Sequence, residues 1–569
     1  MILRTMRTVA SWWGSSEIKV LGTCLAFLGA FLPCAASAQS RLPSTVEPGR
    51  ERPAPSLAPQ GNFDITIPAP KRAPLGQDVD LLRFQVREIL IEGSTVLSGN
   101  DLSALTAPLI GREASLSDII AIAEAIEARY REEGYLLVRT VVPPQRTRNG
   151  IFRIQVVEGH IGSVSVEGLS GAEEARARGM LLPLLAERPL RNATMERALL
   201  LLNDLPGMKA VGLLKPSKEE TGAADLVVTA KVAAVDVTAS IDNRSSRYEG
   251  PWVANSDLGL NSLSGFGERV SLGVSSTPDG RKKKAVRLGY AQPLGVDGLL
   301  ASLAFDYSMS RPGFTLSEQD ARTFSSNLGG RIAYPVIRSR AHTVMAEGGL
   351  TARMANSHLS GAPVSFDRWR VADAKLSWLH SGWLSGVNSM GAGISRGLPQ
   401  LGGSQKDVEL LSRGGADPGF TKYTFDISRL QNLAPAWDLY VGASGQYADR
   451  TLLSGEEFAL GGTTFGHGFD PSALLGDHGF GTTVSLRHDI SPLAPMVRSL
   501  MAYTFYDAGL VWTHSTGGQQ GLASFGGGLR SALNESLEGT LELAHRAYGA
   551  DSTAGGHFAR VIVALSGRF

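Results

Sequence analysis

Histidine is a residue type that binds metals or relays protons, and three histidines follow one another late in this chain. They are His467, His478 and His488. Compact zinc sites place paired ligands roughly two to five residues apart, which is much closer than these histidines lie to one another. We therefore predict neither a metal site nor a catalytic residue in this region.

Other reactive motifs are also missing from the sequence. It has no Gly-Lys dipeptide and hence no phosphate-binding P-loop, and it shows neither a nucleophile elbow nor a metalloprotease helix. The 55 Lys and Arg residues balance 54 Asp and Glu residues, which argues against nucleic acid as the main partner. We predict a protein that is not an enzyme, needs no cofactor and binds no nucleic acid.

Residues 1–38 have the pattern of a secretory signal peptide. A basic start precedes an apolar run at 20–31, and small residues end at Ala38. A membrane anchor is the alternative, but the run is too short to cross ~30 Å of hydrocarbon as a helix. A lipoprotein is disfavoured by the context of both cysteines. Since Cys24 and Cys34 are the only cysteines, cleavage after Ala38 leaves a chain without disulfides.

Residues 39–83 form a tether by composition. Eight prolines lie between positions 43 and 74, with charged and small residues among them. Proline fixes φ and interrupts helices, so we expect an extended tether and no pore-plugging helix here.

Residues 84–159 have the pattern of a small α/β module. A strand at 86–93 precedes two helices, capped near Asn100 and Ser117. Strands at 136–142 and 151–157 follow, and Asn149-Gly150 is a tight-turn signal between them. The predicted order is β-α-α-β-β.

Residues 160–233 repeat that order. A strand at 161–167 precedes helices at 172–186 and 194–205, and strands at 209–214 and 225–231 close the unit. The four consecutive leucines at 199–202 are interpreted as core residues of a packed helix.

From residue 234 to 569 the pattern changes to strands that alternate apolar and polar residues. The apolar positions of four such strands are Val270, Leu272 and Val274; Leu303, Phe305 and Tyr307; Tyr423, Phe425 and Ile427; and Val484 and Leu486. A soluble sandwich would alternate too, but persistence over this length favours a transmembrane antiparallel β-barrel of about 16 strands. The basic run Lys282-Lys283-Lys284 is interpreted as a solvated turn.

The final strand favours the barrel over the sandwich. Val561, Val563, Leu565 and Phe569 share one face, and a terminal aromatic residue suits the aromatic girdle at a membrane boundary. We expect this strand to pair with the first barrel strand near 237–241. Val563, Leu565, Gly567 and Phe569 also resemble the C-terminal signal read by the barrel assembly machinery.

Short motifs in a fixed order connect these elements. They are Ile91-Glu92-Gly93, Tyr130, Gly134-Tyr135, Val142-Pro143-Pro144-Gln145, Val157-Glu158-Gly159, Ile161-Gly162, Leu200-Leu201-Leu202-Asn203-Asp204-Leu205-Pro206-Gly207, Asp242-Asn243-Arg244 and Tyr248-Glu249-Gly250. Together they resemble the two-partner secretion translocators (TpsB-type, the ShlB/FhaC/HecB hemolysin secretion/activation family), whose two small modules are POTRA domains. Val142, Pro143, Pro144, Gln145, Glu158 and Gly159 carry the POTRA signature.

The resemblance implies a pore in the outer membrane of a Gram-negative bacterium, with POTRA domains in the periplasm. Such a protein recognises an unfolded, β-helical exoprotein of adhesin or hemolysin type and exports it without nucleotide, surrounded by outer-membrane lipids. An assembly factor for other barrels is the alternative within the same superfamily. A plain diffusion channel would leave the two modules unexplained.

The resemblance also implies an inward-folded loop whose tip arginine pairs with an aspartate of the barrel wall. Here the tip motif is Gly466, His467, Gly468 and Phe469, and the wall motif is Phe505, Asp507 and Gly509. Histidine replaces a permanent cation with a group that titrates near pH 6.5. The alternatives are a hydrogen bond from His467 to Asp507, compensation by a nearby arginine, or an anchor that loosens as pH rises.

Overall fold

The computed structural model describes residues 65–66, 83–146, 149–220, 222–406, 410–514, 517–549 and 559–569. The predicted signal peptide and its cleavage site lie outside these residues. So does the tether apart from Ile65–Thr66, which form the short strand β1, and Arg83, which begins the next strand. No helix in the described ranges is both long and apolar enough to span a membrane.

The first module packs two helices against short strands. Its elements are β2 (Arg83–Gln85), β3 (Glu88–Glu92), α1 (Gly99–Thr106), β4 (Glu113–Ser115), α2 (Leu116–Glu132), β5 (Arg139–Val141) and β6 (Ile151–Val157). A three-stranded sheet has the order β3-β6-β5, and β2 pairs with β4. Apolar residues of α2 and β6 form the core, among them Ile119, Ile126, Phe152 and Ile154.

The N-caps of both helices in this module lie two residues before the predicted caps. Ser98 and Ser115 are the N-caps, and each accepts a hydrogen bond from the backbone of the aspartate three residues later. In return, the side chains of Asp101 and Asp118 accept a hydrogen bond from the backbone N–H of the N-cap serine, which completes a capping box. The predicted turn is confirmed, since Asn149 and Gly150 have φ of 61° and 73°.

The second module repeats the strand order of the first sheet, with its last strand between the other two. It comprises β7 (His160–Glu167), α3 (Gly171–Leu181), α4 (Pro183–Ala186), α5 (Asn192–Asn203), β8 (Met208–Pro216) and β9 (Ala223–Val232). The single helix predicted at 172–186 is wrong: the chain forms two helices, and Pro183, which lacks a backbone N–H, begins the second. Leu199 to Leu202 are all buried in the core, as predicted.

Sixteen antiparallel strands form a closed barrel, which confirms the predicted fold class. The strands of the C-terminal region are β10 (Val235–Asp242), β11 (Val253–Asn261), β12 (Arg269–Ser276), β13 (Lys283–Leu294), β14 (Leu299–Ser310), β15 (Arg322–Arg338), β16 (His342–Leu359), β17 (Ala362–Ser381), β18 (Gly386–Gly397), β19 (Thr421–Ala434), β20 (Trp437–Ala448), β21 (Phe458–Leu460), β22 (Leu474–Gly476), β23 (His478–Asp489), β24 (Ser499–Trp512), β25 (Gln519–Ala532), β26 (Leu537–Tyr548) and β27 (Ala559–Arg568). Strands β21 and β22 pair with each other and lie outside the barrel sheet.

The two faces of the barrel wall differ as the alternation predicts. All of the apolar positions named in the four alternating strands are exposed on the outside, from Leu303 at 58% to Val270 and Phe305 at 37%. The inner face instead carries ion pairs: Arg287 lies 3.6 Å from Asp257 and 3.4 Å from Asp306. An apolar exterior around a polar interior is the arrangement of a barrel that faces lipid outside and water inside.

The seam between the first and last strands is the shortest strand pairing in the barrel. Strands β10 and β27 share five residue pairs, whereas every other neighbouring pair shares at least eight. The predicted partner at 237–241 is confirmed, and Phe569 exchanges backbone hydrogen bonds with Val237 at 2.8 and 3.0 Å. At the other end, the Asn243 side chain donates to the Val561 carbonyl and accepts from the Val563 amide, at 2.8 and 2.7 Å.

The second module is attached to the barrel at the turns nearest to it. Arg338, at the end of β15, donates to both carboxylate oxygens of Asp204 at 2.7 and 2.8 Å. Arg176 and Arg197 donate from the module to backbone carbonyls of the β13–β14 and β15–β16 ends, all between 3.0 and 3.3 Å. These arginine contacts orient the module on the barrel rim.

We predict that Asn243→Ala destabilises the seam, because the side chain supplies two hydrogen bonds where the ladder has ended. Two such bonds are worth about 2 kcal/mol together. The temperature at which the barrel changes from folded to unfolded mobility on a semi-denaturing gel should fall. Asn432→Ala is the control, since Asn432 is exposed near the β19–β20 turn, away from the seam. Equal unfolding temperatures for both variants would contradict the role of Asn243.

Candidate functional site in the barrel lumen

The long connection between β20 and β23 folds back against the inner wall. Its hairpin, β21 and β22, carries a tip at residues 461–473, and the apolar side chains Phe458, Leu460, Phe465 and Phe469 pack against Val511 and Leu522 of the wall. Gly461 and Gly466 turn the tip with φ of 103° and 94°. A Cβ atom on Gly461 would lie 2.2 Å from the Asp470 carbonyl oxygen, so this turn requires glycine.

The tip meets the wall at Asp507, whose side chain is fully buried. One carboxylate oxygen, Oδ2, lies 2.5 Å from His467 Nδ1 and accepts the backbone N–H groups of Gly466 and His467, each at 3.2 Å. Ser524 of β25 donates to the same oxygen at 3.2 Å. A single carboxylate thus holds both the side chain and the backbone of the loop tip.

The remaining residues of both predicted motifs lie beside this contact. The rings of His467 and Phe505 are 4.5 Å apart between centroids. Gly509 lets the hairpin lie close to β24, because a Cβ atom there would be 2.5 Å from the Leu460 side chain. The structure therefore brings the tip and wall motifs together, while their role in gating stays a prediction.

The ring of His467 is largely enclosed by the wall. Burial disfavours its charged form, but the hydrogen bond and the negative charge of Asp507 outweigh burial and raise the pKa of His467 above 6.5. A protonated His467 therefore stabilises the docked tip. This contribution is fully present below pH 6.5 and is lost as the pH rises through the raised pKa.

Three arginines outside the loop also hold its tip. Arg546 of β26 donates to the Gly468 carbonyl at 3.0 Å and lies over the Phe469 ring at 4.9 Å. Arg560 of β27 donates to the Phe469 carbonyl. Arg247, from the β10–β11 connection, contacts Asp470 at 2.6 Å. The hydrogen bond from His467 to Asp507 is therefore present, and the arginines contact other atoms of the tip, so compensation by them stays a prediction.

A buried carboxylate, which sequence reasoning missed, fixes the root of the loop. Glu456 accepts from Arg353, Lys422 and Trp369, at 2.6, 2.5 and 2.8 Å. Burial disfavours its charge, but the two cations lower the pKa of Glu456 to about 2. The only sequence signal was the adjacent Glu456-Glu457 pair in a largely uncharged stretch.

A second buried ion pair closes the other end of the loop. Arg413, from the β18–β19 connection, donates to Asp477 at 2.5 Å and lies 3.1 Å from Glu457. Asp477 also accepts the backbone N–H groups of Leu452 and His514, at 2.7 and 2.9 Å. No local motif identifies Asp477, because its partners lie 25 to 64 residues away in the sequence.

A cavity of about 1070 Å³ lies beside the hairpin inside the barrel. Charged and hydroxyl side chains line much of it, including Lys283, Arg287, Asp306 and Lys375. The interpretation of the Lys282–284 run as a solvated turn is wrong for Lys283. Its side chain is 15% exposed and pairs with Glu249 at 2.9 Å, because β13 begins there and turns it inward.

The histidines considered for a metal site lie in separate surroundings. His478 Nδ1 accepts the Ala448 amide at 3.3 Å. His488 stacks on Trp437 with ring centroids 4.0 Å apart. Within the described part of the chain, no three His, Cys, Asp or Glu side chains form a group that could hold a metal ion.

In the first module, the POTRA signature ties separate elements together. Glu158 accepts the backbone of Thr95 at 2.7 Å, the backbone of Val96 at 3.2 Å and the Tyr130 hydroxyl at 2.5 Å. Burial opposes the charge of Glu158, but these bonds lower its pKa, whereas burial and the carboxylate raise the pKa of Tyr130 to about 12. The loop after β3 is thereby fixed to α2.

The Val142-Pro143-Pro144-Gln145 motif ends β5 and then extends its pairing. The prolines have no N–H to donate. The Gln145 side chain replaces a backbone partner, donating to the Arg153 carbonyl at 2.9 Å and accepting its amide at 2.8 Å. At the other end of this strand pair, Gly159 is required, since a Cβ atom would be 2.2 Å from the Leu137 carbonyl oxygen.

Of the C-terminal signal residues, Val563, Leu565 and Gly567 lie in β27, and Phe569 ends the chain with its side chain 73% exposed. A Cβ atom on Gly567 would lie 3.0 Å from the Phe569 ring. The structure places these residues at the seam, and their role as a signal stays a prediction.

Comparison with known proteins gives two family matches. Residues 222–531 match the family described as haemolysin secretion/activation protein ShlB/FhaC/HecB. Residues 84–159 match the POTRA domain of ShlB type. The first match covers more than half of the chain.

Individual relatives agree with these matches. The heme/hemopexin transporter protein HuxB of Haemophilus influenzae is 24% identical over 468 residues, which is 79% of each chain. CdiB from Escherichia coli superposes with a TM-score of 0.70 at 19% identity, covering 88% of this chain and 93% of CdiB. CdiB from Acinetobacter baumannii gives 0.60 at 17% identity, covering 97% and 96%. The two solved structures support the fold.

We predict that His467→Ala loosens the loop tip, because it removes a hydrogen bond to a buried carboxylate. Such bonds are worth roughly 1.5–3 kcal/mol, so the open-to-closed ratio should rise about tenfold or more. Single-channel recordings of the purified protein in planar bilayers measure this ratio. The wild type should open more often as the pH rises above 6.5, whereas His467→Arg should show no such dependence. His488→Ala is the control, and a His467→Ala record identical to it would remove His467 from gating.

We also predict that Glu158→Ala loosens the first module. The Thr95 and Val96 amides should lose protection from hydrogen exchange by about 2 kcal/mol, since bonds to a charged acceptor are lost. In the wild type this stabilisation is present above pH 4.5 and is lost as the pH falls through the lowered pKa of Glu158. Glu167→Ala, at the exposed end of β7, should leave both amides unchanged. Unchanged protection in Glu158→Ala would contradict the prediction.

Proposed function

Since the chain belongs to the haemolysin secretion/activation family ShlB/FhaC/HecB, it is an outer-membrane translocator of two-partner secretion, and we propose how its parts divide this work. The periplasmic modules capture one unfolded exoprotein. The barrel lumen conducts it to the cell surface, and the loop at residues 449–477 closes the lumen at rest. The observation that carries this proposal is the loop docked inside a polar barrel whose rim bears the modules.

Capture by the modules is supported by the sheet edges of the first module, which pair with no further strand among the described residues. In the first module, β3 and β5 lie at the two edges of a three-stranded sheet. An extended chain can add a strand to such an edge, where backbone hydrogen bonds give affinity with little demand on sequence. A protein that must remain unfolded until it is exported suits this mode of recognition.

Passage is supported by the charges of the inner wall. Arg331 lies 3.3 Å from Glu347 and 3.0 Å from Asp373, and Lys375 lies 3.9 Å from Asp426, with side chains between 19% and 44% exposed. Paired, hydrated charges expose little apolar surface to which an unfolded chain could adhere. Because the hairpin and its tip occupy part of the lumen, they must move aside before a chain can pass.

The proposed cargo is a large exoprotein with a β-helical shaft, of adhesin or hemolysin type. Folding of this shaft outside the cell would favour outward movement, so the process needs no nucleotide. During biogenesis, the barrel assembly machinery is the proposed reader of the C-terminal strand. Outer-membrane lipids surround the apolar exterior.

We predict that deleting the gene removes one large protein from the secreted fraction and leaves other outer-membrane barrels at their normal abundance. Quantitative proteomics of both fractions measures this, and a plasmid copy of the wild-type gene should restore the lost protein. The same experiment tests the assembly-factor alternative. Broad depletion of barrels, with no single secreted protein lost, would favour that alternative over translocation.

A further inference from the structure

The outer edge of the second module's sheet has an occupant. Strand β8 pairs along all nine of its residues with β9 on one side. Among the described residues, the strand that pairs on its other side is the tether strand β1, which runs parallel to it, with Ile65 opposite Gly212 and Thr66 opposite Leu213. The other seven residues of β8 have no described strand partner on this side.

The sequence explains why the tether pairs here and why the pairing is short. Phe63, Ile65 and Ile67 alternate with Asp64 and Thr66, which is a strand pattern in an otherwise proline-rich segment. Pro59 and Pro68 flank this stretch, and proline cannot donate to a ladder. The two prolines therefore set the outer limits of any strand in this part of the tether.

The edge itself has the features of a docking strand. Residues 208, 210, 212 and 214 of β8 face the module core, whereas Val211 and Leu213 lie on the opposite face. Val211 is 48% exposed, and Leu213 is half-buried. An added strand would find backbone partners along the edge and apolar contact at alternate positions.

We propose that the β8 edge is the docking edge for the exported protein, and that the tether segment Ile65–Thr66 occupies it until the cargo arrives. The partner is an unfolded segment with alternating apolar and polar residues, running parallel to β8. This inference rests on the proposed function.

Length decides the competition between the two strands. The tether is covalently attached, so its effective concentration at the edge is high, and its described strand pairs with two residues of β8. A longer cargo strand can pair with more of the nine. Cargo chains that offer an extended strand can therefore displace the tether. In their absence the tether stays on the edge.

A disulfide across β1 and β8 tests the proposal in cells. Thr66 and Leu213 are register partners, so we expect the variant Thr66→Cys/Leu213→Cys to cross-link. Oxidised cells should secrete at least ~10-fold less cargo than reductant-treated cells, since a tethered strand cannot be displaced. Lys209→Cys/Lys231→Cys is the matched control, because it joins β8 to β9 and leaves the outer edge free.

Normal secretion by the cross-linked protein, or absence of the cross-link, would overturn the proposal. A second measurement does not depend on the cargo. A fluorescent peptide of residues 60–68 is added to the purified full chain, and its binding is measured by anisotropy. Thr66→Pro weakens the attached strand and should bind the peptide at least ~5-fold more tightly than the wild type, whereas Gln60→Pro should match the wild type.

Oxidised Thr66→Cys/Leu213→Cys should not bind the peptide. Equal binding of the peptide by Thr66→Pro and the wild type would contradict the proposal that β8 is the docking edge. If gene deletion removes no secreted protein, the proposed function fails, and the peptide measurement alone then decides whether the edge accepts an extended strand.

Discussion

Backbone groups inside a lipid bilayer have no water to bond with, so a spanning sheet must pair every edge within itself. The sixteen strands meet this constraint by joining β10 to β27, and the rest of the structure depends on that closure. The seam has only five residue pairs, and two devices extend it: the terminal Phe569 backbone at one end and the Asn243 side chain at the other. A side chain that replaces a backbone partner also continues the pairing of β5, because the Gln145 side chain bonds to the Arg153 backbone.

Closure creates a lumen, and buried charge determines what fills it. The loop at residues 449–477 is held at three places by carboxylates: Glu456 at its root, Asp477 at its return and Asp507 at its tip. Each is almost completely removed from solvent, where an unpaired charge is costly, and each has cationic or backbone donors. The loop is therefore positioned by matched charges, and its apolar tip adds packing against β24 and β25.

Local patterns predicted much of this architecture. Alternation over the C-terminal region indicated the barrel and its strand number, whereas the contact between His467 and Asp507 was implied by the family resemblance and not by a local pattern. What escaped prediction depends on long-range pairing. The partners of Glu456 come from three different strands. The role of β1 follows from its pairing with β8, about 145 residues later in the chain. The capped helices were displaced by two residues because the Ser–x–x–Asp boxes outweighed the nearer polar residues.

The carboxylate anchors of the loop have a consequence for permeability. In the proposed open state, Glu456 loses Arg353, Lys422 and Trp369 together, and four charged or polar groups are exposed inside the barrel at once. Unpaired charges must be solvated, so water fills the space that the loop leaves. An opened barrel is then already hydrated before any polypeptide enters it. A cell must therefore limit how long the pore stays empty, since small solutes will leak through the same water.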